Sequence, residues 1–186
     1  MPRWVHFCLA ILLLPVCFIP ILLIALLVKA TSTGPAFHWS TRVGRNNVLF
    51  QMPKFRTMRV DTPDVATHLL TDPQGYITPV GKILRKTSLD ELPQIWSILT
   101  GDMVFVGPRP ALFNQDDLIR LRTEQGLHQL DPGITGWAQI NGRDELSIPD
   151  KVGLDTYYLQ HRSFGLDLKI LWGTLFAVGK SQGVTH

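Results

Sequence analysis

Cysteine is nearly absent from this chain. Of its 186 residues only Cys8 and Cys17 carry a thiol, and both lie in an apolar N-terminal stretch. They supply neither a disulfide framework nor a thiolate metal set, and a cysteine-free remainder suits a cytosolic domain. The six histidines have no metal-ligand spacing. Neither G-x-x-x-x-G-K-[ST] nor G-x-G-x-x-G occurs, which removes the Walker and dinucleotide loops. Charge is missing from Phe7 to Val28, a run of about 22 residues that reaches the length of a membrane helix and exceeds what a globular core helix needs. A secretory signal is disfavoured, because no small-residue cleavage site precedes Lys29.

Two prolines, Pro15 and Pro20, sit in the middle of that run. Each removes a backbone hydrogen bond and kinks a helix, and at membrane depth the freed carbonyls need a local partner. A kinked span and a bent hairpin that enters and leaves one leaflet both satisfy this. Arg3 on one side and Lys29, Arg42 and Arg45 on the other place basic residues at both ends. That distribution favours two cytoplasmic ends, hence a re-entrant helix.

What is present fits one ordinary domain plus an anchor. Hydrophobic residues make up 45% of the chain, enough for a real core. A net charge of +3 and a pI near 9.0 suit anionic partners such as phosphates, lipid headgroups or nucleic acid without choosing among them. We expect an α+β fold, mostly helical, with residues 1–30 as the proline-broken anchor and 31–186 as a compact domain carrying amphipathic interfacial helices. Residues 31–35 read as the exit from the membrane and 48–52 as a strand. Beyond it, basic and apolar residues alternate through Pro53-Lys54-Phe55-Arg56-Thr57-Met58, which places Lys54 and Arg56 on one face if extended. Residues 61–79 read as a loop with a short helix near 65–70. Val80, Ile83 and Leu84 then make one face of a helix leading to the most chemically loaded stretch.

That stretch is Lys86-Thr-Ser-Leu-Asp90-Glu91-Leu-Pro93-Gln-Ile-Trp96. Proline is disfavoured inside a helix but comfortable in its first turn, so the two adjacent carboxylates belong at a helix entrance. Ser88-x-x-Glu91 also has capping-box spacing, so a purely structural role is the competing reading. Leu92, Ile95, Trp96 and Leu99 follow at core spacing as far as Gly101. Asp102 to Pro110 reads as a buried strand ending in Arg109 held between two prolines. That setting suits bidentate phosphate recognition, with an ion pair to Asp102 as the alternative. Gln115 to Gln125 is a surface helix with Leu118 and Leu121 inward. Pro132 to Arg143 interleaves Gly133, Gly136 and Gly142 with polar side chains, as a loop does where backbone approaches an anion or a flat ring. Helices near 149–160, carrying Asp155, and 164–178 complete the chain, the last apolar enough to lie on the core or on a membrane.

Taken together, the proline-bearing anchor, Lys54-Phe-Arg56-Thr-Met, Thr87-Ser-Leu-Asp90-Glu91-Leu-Pro, Gly101-Asp-Met, Val106-Gly-Pro-Arg-Pro and Pro132-Gly-Ile-Thr-Gly-Trp-Ala-Gln-Ile-Asn-Gly-Arg143 resemble the small bacterial sugar transferases. These are the monotopic polyprenyl-phosphate phosphoglycosyl transferases, and the resemblance runs through nearly the whole chain in order. It implies an enzyme of the bacterial cytoplasmic (inner) membrane, its catalytic domain on the cytoplasmic face. Its partners would be membrane lipid, a UDP-sugar and undecaprenyl phosphate, not nucleic acid. By this likeness Asp90 and Glu91 are the catalytic pair, Mg²⁺ the cofactor and Glu91 its ligand. Asp90 would attack the sugar-bearing phosphate, release UMP and hand the phosphosugar to the lipid phosphate. Lys54, Arg85, Arg109 and Arg143 are the candidates for binding phosphate, Asp167 a weaker polar one, and Trp137 a core residue that could instead stack on uracil. The family's helix breaks at a Ser-Pro pair, whereas here Ile19 precedes Pro20 and Leu14 precedes Pro15; Pro20 fits the break better by its distance from Lys29. The rival readings are a non-enzymatic module that binds anionic lipid and a hydrolase that cleaves nucleotide sugars with water.

Overall fold

The computed structural model describes residues 1–63, 73–142 and 146–180. Helix α1 runs from Arg3 to Thr31 with Pro15 and Pro20 inside it, so helical structure continues through both prolines. The helix is long and apolar enough to cross a membrane. It does not stand away from the rest of the chain. Its inward residues are His6, Ala10, Leu13, Cys17, Ile21, Ile24 and Val28, spaced three or four apart as one helical stripe. His6 Nδ1 accepts a bond from the Phe105 backbone N–H (3.3 Å). Ala10, Leu13, Cys17 and Ile21 pack with Met52, Ile95, Ile98 and Met103, and Ile21, Ile24, Ala25 and Val28 pack with Phe55 and Leu84. The opposite face, with Leu12, Val16, Ile19 and Leu23 among others, is exposed.

Strands β1 (Phe37–Val43) and β2 (Leu49–Phe55) form an antiparallel hairpin in which His38 lies opposite Lys54 and Ser40 opposite Met52. Its tight connection contains Asn46 and Asn47, both at positive φ, a conformation asparagine tolerates better than most residues. A short helix α2 (Pro73–Tyr76) precedes α3 (Pro79–Thr87), whose N-terminus is capped by the Thr78 hydroxyl accepting from Gly81 N–H. The expected helix at 65–70 lies outside the described residues. Gly81 and Leu84 form the buried side of α3, and Ile83, expected there, points outward. A 3₁₀ turn (Leu89–Gln94) leads into α4 (Ile95–Leu99), which Gly101 ends at φ 85°. Ile95 and Ile98 of α4 enter the core, but Trp96, also expected there, is exposed.

Strand β3 (Val104–Val106) pairs in parallel with β4 (Gly133–Thr135). Between them lie α5 (Asp116–Glu124) and a 3₁₀ turn at Leu127–Gln129; after them come α6 (Trp137–Ile140), α7 (Ile148–His161) and α8 (Phe164–Lys180). A second core gathers Val106, Leu118, Leu127, Leu130, Val152, Tyr158 and Ile170. Helix α8 buries Ile170 fully while Leu168, Trp172, Leu175 and Phe176 stay exposed, the division expected of an interfacial helix. Two glycines of the 132–142 segment serve packing: a methyl on Gly133 or Gly136 would fall on the Gly107 backbone, so they let two chain segments touch.

Helix α3 and α7 offer contrasting glycines. A methyl at Gly81 would collide with the Thr57 carbonyl, whereas one at Gly153, exposed on α7, meets nothing within 4 Å. Gly81→Ala should therefore destabilise the protein by about 2–3 kcal/mol. Gly153→Ala should stabilise it by up to about 1 kcal/mol through helix propensity. Thermal midpoints of the two variants in detergent should move in opposite directions.

Candidate active site

Helix α3 ends at Ser88, which adopts the left-handed conformation (φ 56°, ψ 17°) and turns the chain into the 3₁₀ segment. Asp90 and Glu91 occupy its first turn and Pro93 follows within it, where a missing N–H is tolerated. The carboxylates thus stand at a helix entrance, as expected. The capping-box alternative fails: Ser88 gives the turn no side-chain cap, and the Glu91 carboxylate is engaged elsewhere.

Glu91 Oε1 accepts from Lys54 Nζ at 3.0 Å and from Arg109 Nη2 at 2.6 Å, and its Oε2 accepts from Arg109 Nη1 at 3.4 Å. Lys54 comes from β2 and Arg109 from the loop after β3, so residues far apart in the chain converge on one carboxylate. Arg109 pairs with Glu91 and not with Asp102, which accepts from Thr100 Oγ1 at 2.6 Å. Arg85, on the last turn of α3, is steered by a bond from Nε to Thr57 Oγ1 (3.0 Å), and Asp90 feels its charge. Arg56 does not share the role of Lys54. Strand β2 stops at Phe55, and the Arg56 guanidinium is buried against Ser32 and the Thr33 carbonyl, closing the segment after α1. Arg143 lies outside the described residues.

The two acids are in different electrostatic states. Burial opposes charge on Glu91, yet Arg109 and Lys54 overcome it and hold its carboxyl well below the usual range. Burial lifts Asp90 above the usual aspartate range against the pull of Lys54, and its neighbour Glu91 adds to the lift. Burial also lowers the Lys54 ammonium from its ordinary value, Glu91 opposing and Arg109 reinforcing. Adjacent carboxyls pushed in opposite directions are a mark of divided chemical roles.

One other expectation is corrected. Asp167 accepts from Tyr158 OH at 2.8 Å and pairs with the Met1 amine, a buried structural arrangement with no bond to the acid pair. Trp137 packs against the second core, as expected of a core residue, stacked on Tyr157 (centroids 5.4 Å apart) with Lys169 Nζ 5.3 Å from its ring. Sequence reasoning missed three charged residues. Arg42, on the Lys54 face of the hairpin, donates to Ser40 Oγ (3.0 Å) and Pro110 O (3.2 Å). Arg122 and Asp155 form a buried pair with an Nη2–Oδ2 distance of 2.6 Å. A signal existed: Arg122 lies four residues after Leu118, and Asp155 three after Val152, so each charge falls on its helix's apolar face.

An acid pair set among lysine and arginine, beside an apolar helix long enough for a membrane, is an arrangement suited to phosphate chemistry at a membrane surface. The comparisons with known proteins make this specific. The bacterial sugar transferase family matches residues 1–181, and the chain belongs to that family, which makes it a phosphoglycosyl transferase. It is 42% identical over 177 residues to the uncharacterized sugar transferase EpsL of Bacillus subtilis, covering 94% of this chain and 85% of that one. It is 37% identical to the exopolysaccharide production protein ExoY of Sinorhizobium fredii, over 87% and 78% of the two chains. It is 41% identical to the UDP-glucose:undecaprenyl-phosphate glucose-1-phosphate transferase of Escherichia coli, matching 82% of this chain but only 34% of that longer protein.

The Glu91 clamp has a pH signature. A carboxyl lowered on folding contributes stability that is present above its unfolded pKa and lost as pH falls through the folded one. Lys54→Met removes one arm, so the Glu91 pKa should rise toward its ordinary 4.5. Acid unfolding of that variant, followed by circular dichroism in detergent, should begin at a higher pH than in the wild type. An unchanged acid transition would mean that Lys54 does not hold Glu91.

Proposed function

We propose that this enzyme transfers a sugar 1-phosphate from a UDP-sugar to undecaprenyl phosphate, with Asp90 as a covalent nucleophile. The observation that carries the reading is the division of the acid pair: Lys54 and Arg109 bond to Glu91, while Asp90 receives neither of those bonds. A carboxylate attacks a phosphate only where the phosphate's charge is neutralised, and Lys54, Arg85 and Arg109 all lie close enough for Asp90 to feel them.

In the first step an Asp90 carboxylate oxygen bonds to the phosphorus that carries the sugar. The bond from that phosphorus to the bridging oxygen breaks, and its electron pair leaves on UMP. In the second step an oxygen of the lipid phosphate attacks the same phosphorus, the acyl phosphate bond breaks and Asp90 is regenerated. One site then serves a soluble donor and a membrane-bound acceptor in turn.

The acids also fit Mg²⁺. Its donors are hard oxygens, usually one or two carboxylates with substrate phosphates and water, and Asp90 together with the weakly engaged Glu91 Oε2 is such a set. When bound, the ion would neutralise charge on the diphosphate.

Asp90→Asn should abolish UMP release while leaving the fold intact, and EDTA should suppress release in the wild type. Sustained, multiple-turnover UMP release from a panel of UDP-glucose, UDP-galactose and UDP-N-acetylhexosamines should require undecaprenyl phosphate, with at most one UMP per enzyme released without it. Release at an equal rate without the acceptor would instead identify a nucleotide-sugar hydrolase, and full activity in Asp90→Asn would remove Asp90 from the mechanism.

The same reading places α1 in one leaflet, both ends on the cytoplasmic side where UDP-sugars are found. Support comes from its docking: Arg3 Nη2 donates to Gly101 O at 2.7 Å and pairs with Asp131 at 2.9 Å, while Val28 packs with Phe55 and Leu84. Beginning and end are thus held by the same domain. A cysteine introduced as Pro2→Cys, with Cys8 and Cys17 replaced, should resist an impermeant thiol reagent in intact cells. Replacing Pro15 and Pro20 by Leu should expose it by letting the helix cross; labelling with both prolines in place would rule out the re-entrant arrangement.

A further inference from the structure

We infer that Arg122 and Asp155 are positioning residues: the buried pair fixes the backbone of Arg109 and thereby aims its guanidinium at Glu91. The inference rests on the reading of Asp90 and Glu91 as the reacting pair.

The Pro108-Arg109-Pro110 segment has little means of holding itself, because two of its three residues have no N–H. Its carbonyls are instead held from outside. Pro108 O accepts from Gly133 N–H at 2.9 Å and Ala111 O accepts from Val43 N–H at 2.9 Å. Pro110 O accepts from Arg42 Nη1 at 3.2 Å, and Arg109 O accepts from Arg122 Nη1 at 2.8 Å. Four consecutive carbonyls are thus tied to other elements. The bond from Arg122 holds the carbonyl of the residue whose side chain reaches the acid pair.

Arg122 is itself fixed. Its Nε and Nη2 donate to Asp155 Oδ2 at 3.1 and 2.6 Å, and Asp155 is 1% exposed. One edge of the guanidinium therefore grips α7 while the remaining nitrogen grips the loop, a division that a lysine's single ammonium cannot reproduce in the same plane. Stability alone is a poor reason for the pair, since well-packed apolar residues often replace a buried ion pair without loss. Such a replacement would still lose the donor aimed at Arg109 O. Helices α5 and α7 supply neither member of the acid pair, and through this bond they set the geometry of a group that does touch it. Misplacement of a positioning group by about 1 Å commonly costs about 100-fold in rate.

The test is a double-mutant cycle on UMP release, with undecaprenyl phosphate and whichever of UDP-glucose, UDP-galactose or UDP-N-acetylglucosamine turns over fastest. The variants are Arg109→Ala, Arg122→Lys, their combination, and the paired replacement Arg122→Met with Asp155→Leu. The last leaves no charge buried alone, so it keeps the fold, as its thermal midpoint would report. Arg122→Lys and the paired replacement should each lower kcat/KM by about 10- to 100-fold. In the Arg109→Ala background Arg122→Lys should cost nothing more, because nothing is left to position. A folded paired replacement at wild-type rate, or losses that multiply in the combination, would overturn the inference while Arg109→Ala stays slow. A wild-type rate in Arg109→Ala would overturn the reading of the site as well.

Discussion

Everything near the acid pair depends on one buried carboxylate shared by two cations. Glu91 is held by Lys54 from a strand and by Arg109 from a loop, and without its charge the two cations would only repel. At an effective dielectric of about 20, unit charges about 4 Å apart interact by roughly 4 kcal/mol, so the carboxylate offsets the repulsion between Lys54 of the hairpin and Arg109 of the loop. Among the described residues Lys54, Arg85 and Arg109 all act on Asp90, and phosphate is a ligand to which a planar guanidinium fork is well matched.

That clamp sits beside a membrane helix that behaves partly as a core helix. A stripe from His6 to Val28 covers the sheet hairpin, α3 and α4, while the outer side of α1 presents aliphatic side chains to its surroundings. The same hydrophobic effect serves both sides: one face is buried against protein, the other is suited to lipid. The exposed face of α8 repeats this pattern. Helix α1 packs directly against the elements that carry Lys54 and Asp90.

Much of this was legible in local patterns. The uncharged run became α1, the Asp90-Glu91 pair stands at a helix entrance, and Gly101 stops α4 at positive φ. Local signals failed where a residue's partner lies far along the chain. Alternation put Lys54 and Arg56 together, but the strand ends between them and their partners are Glu91 and Ser32. Periodicity put Ile83 and Trp96 inside, and both are exposed. The glycines of 132–142 looked like a loop for ligands because sequence cannot say that Gly107 lies against them.

The sequence by itself determined the apolar helix, the acid pair, the proline-held arginine and the family to which they belong, because each is written in contiguous residues with a short-range physical cause. Only the tertiary structure decided which of the two carboxylates takes the bonds from Lys54 and Arg109. It alone brought Arg42 and Arg122 to the Arg109 loop, and it alone laid both ends of α1 on one domain. These are outcomes of long-range packing, where the energy of a side chain is set by groups that the order of the chain does not place beside it.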